Sequence, residues 1–239
     1  SDMCIRDRNI LIILGVTALI TNVAIQKTTF KYEIPYMLLI TAVLLVMGMT
    51  GNEITFIEGV ILWILFIAYL LYLYFLAKKG NDSGDEQSVK LYPVWKCLLF
   101  IVLGGVCVVI GSQLVVNGAT TIARACGMSE RFIGLTIVAF GTSLPELVTS
   151  VSAARKGNAG IAIGNIVGSN IFNILFVIGT VALICPVPFE SRFVIDTVVA
   201  ILCGVLLWGG TIRHKELRKP CGVVMLLCYA AYFVYLAAM

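Results

Sequence analysis

Long apolar runs limit this chain more severely than any motif it carries. Seven stretches are nearly free of charge: Ile10–Ala24, Pro35–Met49, Gly59–Ala77, Cys97–Val116, Phe132–Ala154, Ile161–Ile184, and a last one that divides into Phe193–Gly210 and Gly222–Met239. A helix needs about 20 apolar residues to cross roughly 30 Å of hydrocarbon. The first two runs are short for full spans, so their ends are soft, and the rest are long enough. Transmembrane β-strands would instead show spans of about 10 residues with a polar residue at every second position. Helices satisfy their own backbone hydrogen bonds in lipid. The expected fold is therefore an all-α, polytopic transmembrane helical bundle.

Composition agrees, since 60% of the 239 residues are hydrophobic and only 13% are charged. One soluble core of this size could not hide so much apolar surface. Cys97, Cys107, Cys185, Cys203, Cys221 and Cys228 lie in or beside apolar runs and form no CxxC pair. They read as small buried hydrophobes rather than a disulfide framework. No catalytic residues, organic cofactor or nucleic-acid partner are expected, and the chain is not read as an enzyme. Its expected surroundings are membrane lipid and inorganic cations.

Basic residues sort between alternate connections. Lys27, Lys31, Lys78, Lys79, Lys90, Lys96, Arg155, Lys156, Arg213, Lys215, Arg218 and Lys219 fall on one side; Arg124, Arg131 and Arg192 fall on the other. The positive-inside rule makes the first side cytoplasmic. Loops 78–92, 155–160 and 211–221 are then cytoplasmic and the C-terminus lies outside, in a cell inner membrane or plasma membrane. The Arg213–Lys219 patch reads as a topology determinant that also suits contact with anionic lipid. His214 within it is given no role.

An internal repeat emerges on comparison. Asn9–Ile20 (NILIILGVTALI) and Asn173–Ile184 (NILFVIGTVALI) share seven of twelve residues at an offset of 164. Gly59–Leu73 and Gly222–Leu236 share Gly, Val, Ala, Tyr, Tyr and Leu in register at an offset of 163. An odd number of spans between copies inverts the second relative to the first, a frequent build among secondary transporters. The polar, glycine-rich region before Asn173 has no copy before Asn9, where the sequence reads SDMCIRDR. One repeat is therefore expected to be incomplete, and residues 1–8 are expected not to be native sequence. The implied division is a first unit at 9–77, a linker at 78–92 and a second unit at 93–239.

Two polar clusters interrupt the apolar runs. The first is Gly134–Ser150, GLTIVAFGTSLPELVTS. A carboxylate such as Glu146 at membrane depth is costly unless it faces water, binds a cation or carries a proton. Pro145 lacks an amide hydrogen, so the Gly141 carbonyl loses its helical partner. Carbonyls at that kink, with the hydroxyls of Thr142 and Ser143, become hard oxygen ligands of the kind Ca²⁺ prefers. Thr142 and Glu146, four apart, share a helix face. The second cluster is GNIVGSNIFN, in which Asn165, Ser169 and Asn173 form a stripe beside Gly164 and Gly168. Interhelical packing is the competing account of both clusters.

The stretch Gly118–Gly179 resembles the second alpha repeat of the calcium/cation antiporter superfamily, in particular its bacterial sodium/calcium exchanger branch. GTSLPE and GNIVGSN carry the likeness, which extends in helix number and order from Asn9 to Met239. The resemblance implies ten helices in two inverted halves around a midmembrane site for Na⁺ and Ca²⁺. It implies Glu146 as the main carboxylate, Thr142 as a carbonyl and hydroxyl ligand, Ser143 as a hydroxyl ligand, and the Ala139 carbonyl as a sodium ligand. It also implies ligand positions at Ser169 and Asn173 on the eighth helix and at Asn9 on the third. A second GTSLPE-like motif, which the family carries on its second helix, is missing from this sequence, so the chain by itself is expected to be an inactive fragment. For the intact parent the expected activity is Na⁺/Ca²⁺ antiport by alternating access. An H⁺-coupled antiporter is the nearest rival, and a non-transporting membrane scaffold subunit is a rival of another class.

Overall fold

The computed structural model describes residues 9–80, 93–141, 143–212 and 215–238. Residues 1–8, most of the linker at 78–92, Thr142, Arg213 and His214 lie outside the described residues. The chain is a multi-pass helical membrane protein. In order it runs α1 (Leu14–Ile20), β1 (Val23–Ala24), α2 (Ile34–Gly51), β2 (Glu53–Ile54), α3 (Phe56–Gly80), α4 (Val94–Ala125), α5 (Glu130–Ile133), α6 (Ala139–Gly141), α7 (Leu144–Arg155) and α8 (Ala159–Phe172). It continues with α9 (Gly179–Ile184), β3 (Val187–Pro188), α10 (Ser191–Ile212), β4 (Glu216–Leu217) and α11 (Lys219–Ala238). Wide π-helical turns lead into α1, α2, α6 and α9, at Asn9–Ile13, Thr29–Glu33, Gly134–Val138 and Asn173–Ile178. Five described helical stretches are long and apolar enough to cross a membrane.

The second span begins earlier than its apolar run predicts. Lys31 and Glu33 end the run at Pro35, yet the helix is continuous from Thr29 to Gly51. The wide turn gives the Pro35 ring room where a tighter turn would press it against the Lys31 carbonyl. The cysteines also depart from expectation. Only Cys203 is buried, Cys221 is half-buried and the other five described cysteines are exposed, none of them in a disulfide. Cys97, Cys107 and Cys228 lie in membrane helices, and Cys126 and Cys185 follow the last residues of α4 and α9.

The repeat is visible in the pairing of elements. β1 and β3 are copies at offset 164, and β2 and β4 are copies at offset 163. Each pairs with the other unit, β1 with β4 and β2 with β3, both antiparallel. Asn52 and Lys215, again 163 apart, share the left-handed backbone at φ 53° and 51° that turns the chain toward β2 and β4. Asn adopts that region readily and Lys does not, so the repeat is held in the backbone even where its sequence has diverged.

Helix contacts follow the same exchange. α1 packs on α11, and α9, the copy of α1, packs on α3, the copy of α11. Glycines allow the approach. A Cβ on Gly222 would stand 2.9 Å from the Gly15 carbonyl oxygen, and one on Gly59 would stand 3.0 Å from that of Gly179. α2 and α10 meet each other across the pseudo-symmetric centre. The core includes Leu14, Ile40, Leu44, Ile166, Leu175 and Leu207, all 0% exposed, with Ile174 beside them at 1%. With no hydrophobic drive between helices in lipid, close backbone approach of this kind supplies the association energy.

Candidate functional site

α7 and α8 frame the site and run antiparallel because a short turn joins them. Gly157, at φ 81°, supplies the left-handed residue the turn requires. Register is fixed where Asn165 Nδ2 donates to Thr149 Oγ1 at 3.1 Å and to Ser150 Oγ at 3.4 Å. One turn back along α7 is Glu146; one turn forward along α8 is Ser169. The next turn forward along that side of the pair is Asn173. Two stripes of side-chain oxygens at i, i+4 spacing therefore oppose each other across the helix pair.

The α7 stripe begins at a break in the helix. Ser143 leaves the helical region at φ −99°, ψ 0°, and its side chain makes no capping hydrogen bond. Its amide donates to the Phe140 carbonyl at 3.0 Å, not to Ala139, the partner an unbroken helix would use. Pro145, which has no N–H, follows in the first turn of α7. The break thus withdraws helical donors from the Ala139 and Gly141 carbonyls. Gly141 is wedged against α4, where an added Cβ would overlap the Val116 side chain.

Orphaned oxygens gather at this break. Glu146 Oε2 and Ser143 Oγ are buried and, among the described residues, have no hydrogen-bond partner. Glu146 stands in the first turn of α7, where the helix N-terminus favours negative charge. On α8, Ser169 Oγ donates to the Ile166 carbonyl at 3.1 Å. Its proton is thereby committed and its lone pairs remain as acceptors. A buried unpaired oxygen is expensive, and several in one place suit a cation that accepts all their lone pairs.

The expected residues are placed as follows. Ser143, Glu146, Ser169 and Asn173 lie along the two opposed stripes. Ala139 contributes backbone at the break, and its side chain is not described. Thr142 falls outside the described residues. Asn9 opens the turn Asn9–Ile13, which touches both α7 and α8, although its side chain is also not described. Asn173 opens the equivalent turn Asn173–Ile178; wide turns of this kind recur at functional sites.

Sequence reasoning overlooked Asn170 and Thr120. Asn170 is 2% exposed; its amide donates to the Ile166 carbonyl at 3.0 Å and its Oδ1 is unpartnered. Thr120 Oγ1 on α4 is likewise buried and, among the described residues, unpartnered. The signal available for Asn170 was its place inside GSN, one step off the stripe. Among the described residues no three His, Cys, Asp or Glu side chains come together. One carboxylate among neutral oxygens suits hard cations and does not suit Zn²⁺ or other thiolate- and imidazole-seeking metals.

The chain matches the family model described as sodium/calcium exchanger protein over residues 8–75 and 96–238. It is 35% identical over 234 residues to the putative antiporter CaxA of Alkalimonas amylolytica, covering 94% of this chain and 73% of the relative. Inner membrane protein YrbG of Escherichia coli is 32% identical over 235 residues, covering 91% of this chain and 70% of that protein. Among solved structures, the sodium-calcium exchanger NCX_Mj, soaked without Na⁺ or Ca²⁺, superposes with a TM-score of 0.79 at 31% identity, over 98% of this chain and 74% of that one.

Proposed function

Because this chain belongs to the sodium/calcium exchanger protein family, we propose that it exchanges Na⁺ for Ca²⁺ across the membrane at the site between α7 and α8. The observation that carries this reading is the unpartnered, buried Glu146 Oε2 beside the unpartnered Ser143 Oγ, opposite the Ser169–Asn173 stripe. The transported ions are substrates, and no organic cofactor takes part.

Glu146 supplies the charge, and its carboxylate is the main Ca²⁺ ligand. Ser143 and Thr142 add hydroxyls, Thr142 and Ala139 add carbonyls released by the break, and Ser169, Asn173 and Asn9 close the shell. Na⁺ and Ca²⁺ draw on the same oxygens, so each ion's arrival lowers the affinity for the other. Alternating access of that shared shell to the two faces turns competition into exchange. Units 9–77 and 93–239, joined through 78–92, are the bodies whose inverted arrangement makes the two open states near mirror images.

The test is flux. A full-length polypeptide carrying this sequence, reconstituted in vesicles, should take up Ca²⁺ when an outward Na⁺ gradient is imposed. Uptake driven by a pH gradient without Na⁺ would replace this reading with proton coupling. No flux under either gradient would favour a scaffold.

Orientation is part of the proposal. The basic connections 78–92, 155–160 and 211–221 face the cytoplasm and the C-terminus faces outward. A single cysteine at position 156 in a cysteine-free background should be labelled by an impermeant maleimide only after the membrane is opened. Labelling from outside intact cells would reverse the assignment.

A further inference from the structure

Glu33 is the buried acidic group that ion exchange leaves unexplained. It closes the turn Thr29–Glu33 inside the span Thr29–Gly51 and is 9% exposed. Among the described residues no Lys, Arg or His lies within ion-pairing distance of it; the Thr29 hydroxyl is its hydrogen-bonding neighbour. A buried carboxylate without a counter-charge is costly in a protein and more so in a membrane.

Tyrosines surround it. Tyr32, Glu33, Tyr36, Leu65, Tyr69 and Tyr72 line a cavity of about 290 Å³. Tyr36 stacks on Tyr69 with centroids 5.5 Å apart, Tyr69 on Tyr72 at 6.2 Å, and Tyr32 is tilted by 55° against Tyr72 at 6.1 Å. The Tyr36 hydroxyl donates to the Leu65 carbonyl at 2.9 Å, which fixes its ring. Among the described residues, the buried Tyr72 Oη has no hydrogen-bond partner. The exposed Lys31 ammonium lies 5.3 Å from the Tyr32 ring centroid.

The repeat supplies an internal comparison. At offset 163, Glu33 corresponds to Asp196 and Tyr69 to Tyr232. In the second unit the tyrosine satisfies the acid directly, with Tyr232 Oη donating to Asp196 Oδ1 at 2.6 Å. In the first unit Tyr69 stacks on Tyr36 instead, and the acid opens onto the aromatic cavity. Tyrosines are common at membrane interfaces, which explains their presence but not a buried carboxylate among them.

We propose that this pocket binds a quaternary alkylammonium group, its charge against Glu33 and its methyl groups against the tyrosine rings. Aromatic cages recognise such ions through the negative faces of their rings. Ca²⁺ would need six to eight oxygens, and this cavity offers mostly ring surface. The same chemistry occurs on a choline lipid headgroup and on a small soluble amine. Glu33 and Tyr69 also line a second cavity of about 620 Å³ that reaches Gly164, Asn165 and Gly168 on α8; the inference does not rest on ion exchange.

The probe is tetramethylammonium chloride, titrated calorimetrically into the full-length protein in nanodiscs. Saturable binding is expected, weakened about tenfold by Glu33→Gln and, independently, by Tyr36→Leu, with Tyr72→Phe close to the unmodified protein. Weaker apparent binding in phosphatidylcholine discs than in phosphatidylglycerol discs would support the site and identify the headgroup as occupant. Equal binding in both would support it with a soluble amine as occupant. Absence of saturable binding in both discs, undiminished binding in Glu33→Gln, or displacement of the probe by Ca²⁺ would overturn it.

Discussion

Glu146→Gln should abolish Na⁺-driven Ca²⁺ uptake in vesicles, lowering the initial rate by about a hundredfold or more. The substitution keeps size and shape but removes the charge that one buried, unpartnered oxygen holds ready. Losing one member of a buried ionic contact typically costs about 3–5 kcal/mol, which is a factor of roughly 10²–10⁴ in an equilibrium. Glu146→Asp retains the charge but withdraws it by one methylene from the Ser169 side, so an intermediate loss is expected. Protein yield and thermal stability should change little, because among the described residues Glu146 Oε2 has no hydrogen-bond partner to lose. Undiminished uptake in Glu146→Gln would remove Glu146 from the ion path.

A second large effect is structural. Gly222→Val should lower the thermal unfolding midpoint by several degrees in detergent, whereas Gly104→Val should leave it nearly unchanged. A Cβ at Gly222 would meet the Ala18 side chain and the Gly15 carbonyl oxygen, both at 2.9 Å, and neither neighbour can yield without shifting α1. Overpacking of this kind costs about 1–3 kcal/mol, and in a chain of this length each kcal/mol moves the midpoint by roughly 2–4 °C. Gly104 has no heavy atom within 4 Å of the equivalent position. Gly59→Val should reproduce the Gly222 effect in the other unit, since its Cβ would meet Ala182 and the Gly179 carbonyl oxygen at 3.0 Å. Equal midpoints for Gly222→Val and Gly104→Val would mean that the α1–α11 contact contributes nothing to stability.

Much of the architecture was readable before any coordinates. The apolar runs locate the spans, and the two matches at offsets 163 and 164 reveal the repeat. The break at Gly141–Pro145 follows from an amide that proline lacks, and the Asn165–Ser169–Asn173 stripe follows from helical spacing. The family resemblance rests on the same short segments. What the sequence did not disclose was the exchange of strands, β1 with β4 and β2 with β3. It also gave no sign that Lys215 adopts the left-handed backbone of Asn52, because nothing in a lysine marks that geometry. Asn170 escaped attention because it lies off the polar stripe, and Glu33 because two charged residues at the start of a run look like its end.

The cysteines show where the boundary falls. Of the six read as buried hydrophobes, Cys97, Cys107, Cys185 and Cys228 are exposed. In water an apolar residue is driven inward, so hydropathy reports burial. In a bilayer the lipid-facing and helix-facing sides are both apolar, and hydropathy reports only that a segment spans. The sequence alone therefore determined that this chain crosses the membrane repeatedly, that it is built from a repeat, and which polar residues lie at depth. Which faces meet was decided by tertiary structure, through backbone approach at Gly15 against Gly222 and Gly59 against Gly179. That packing also decides which oxygens are left without partners among the described residues, Glu146 Oε2 being one, while Tyr232 donates to Asp196.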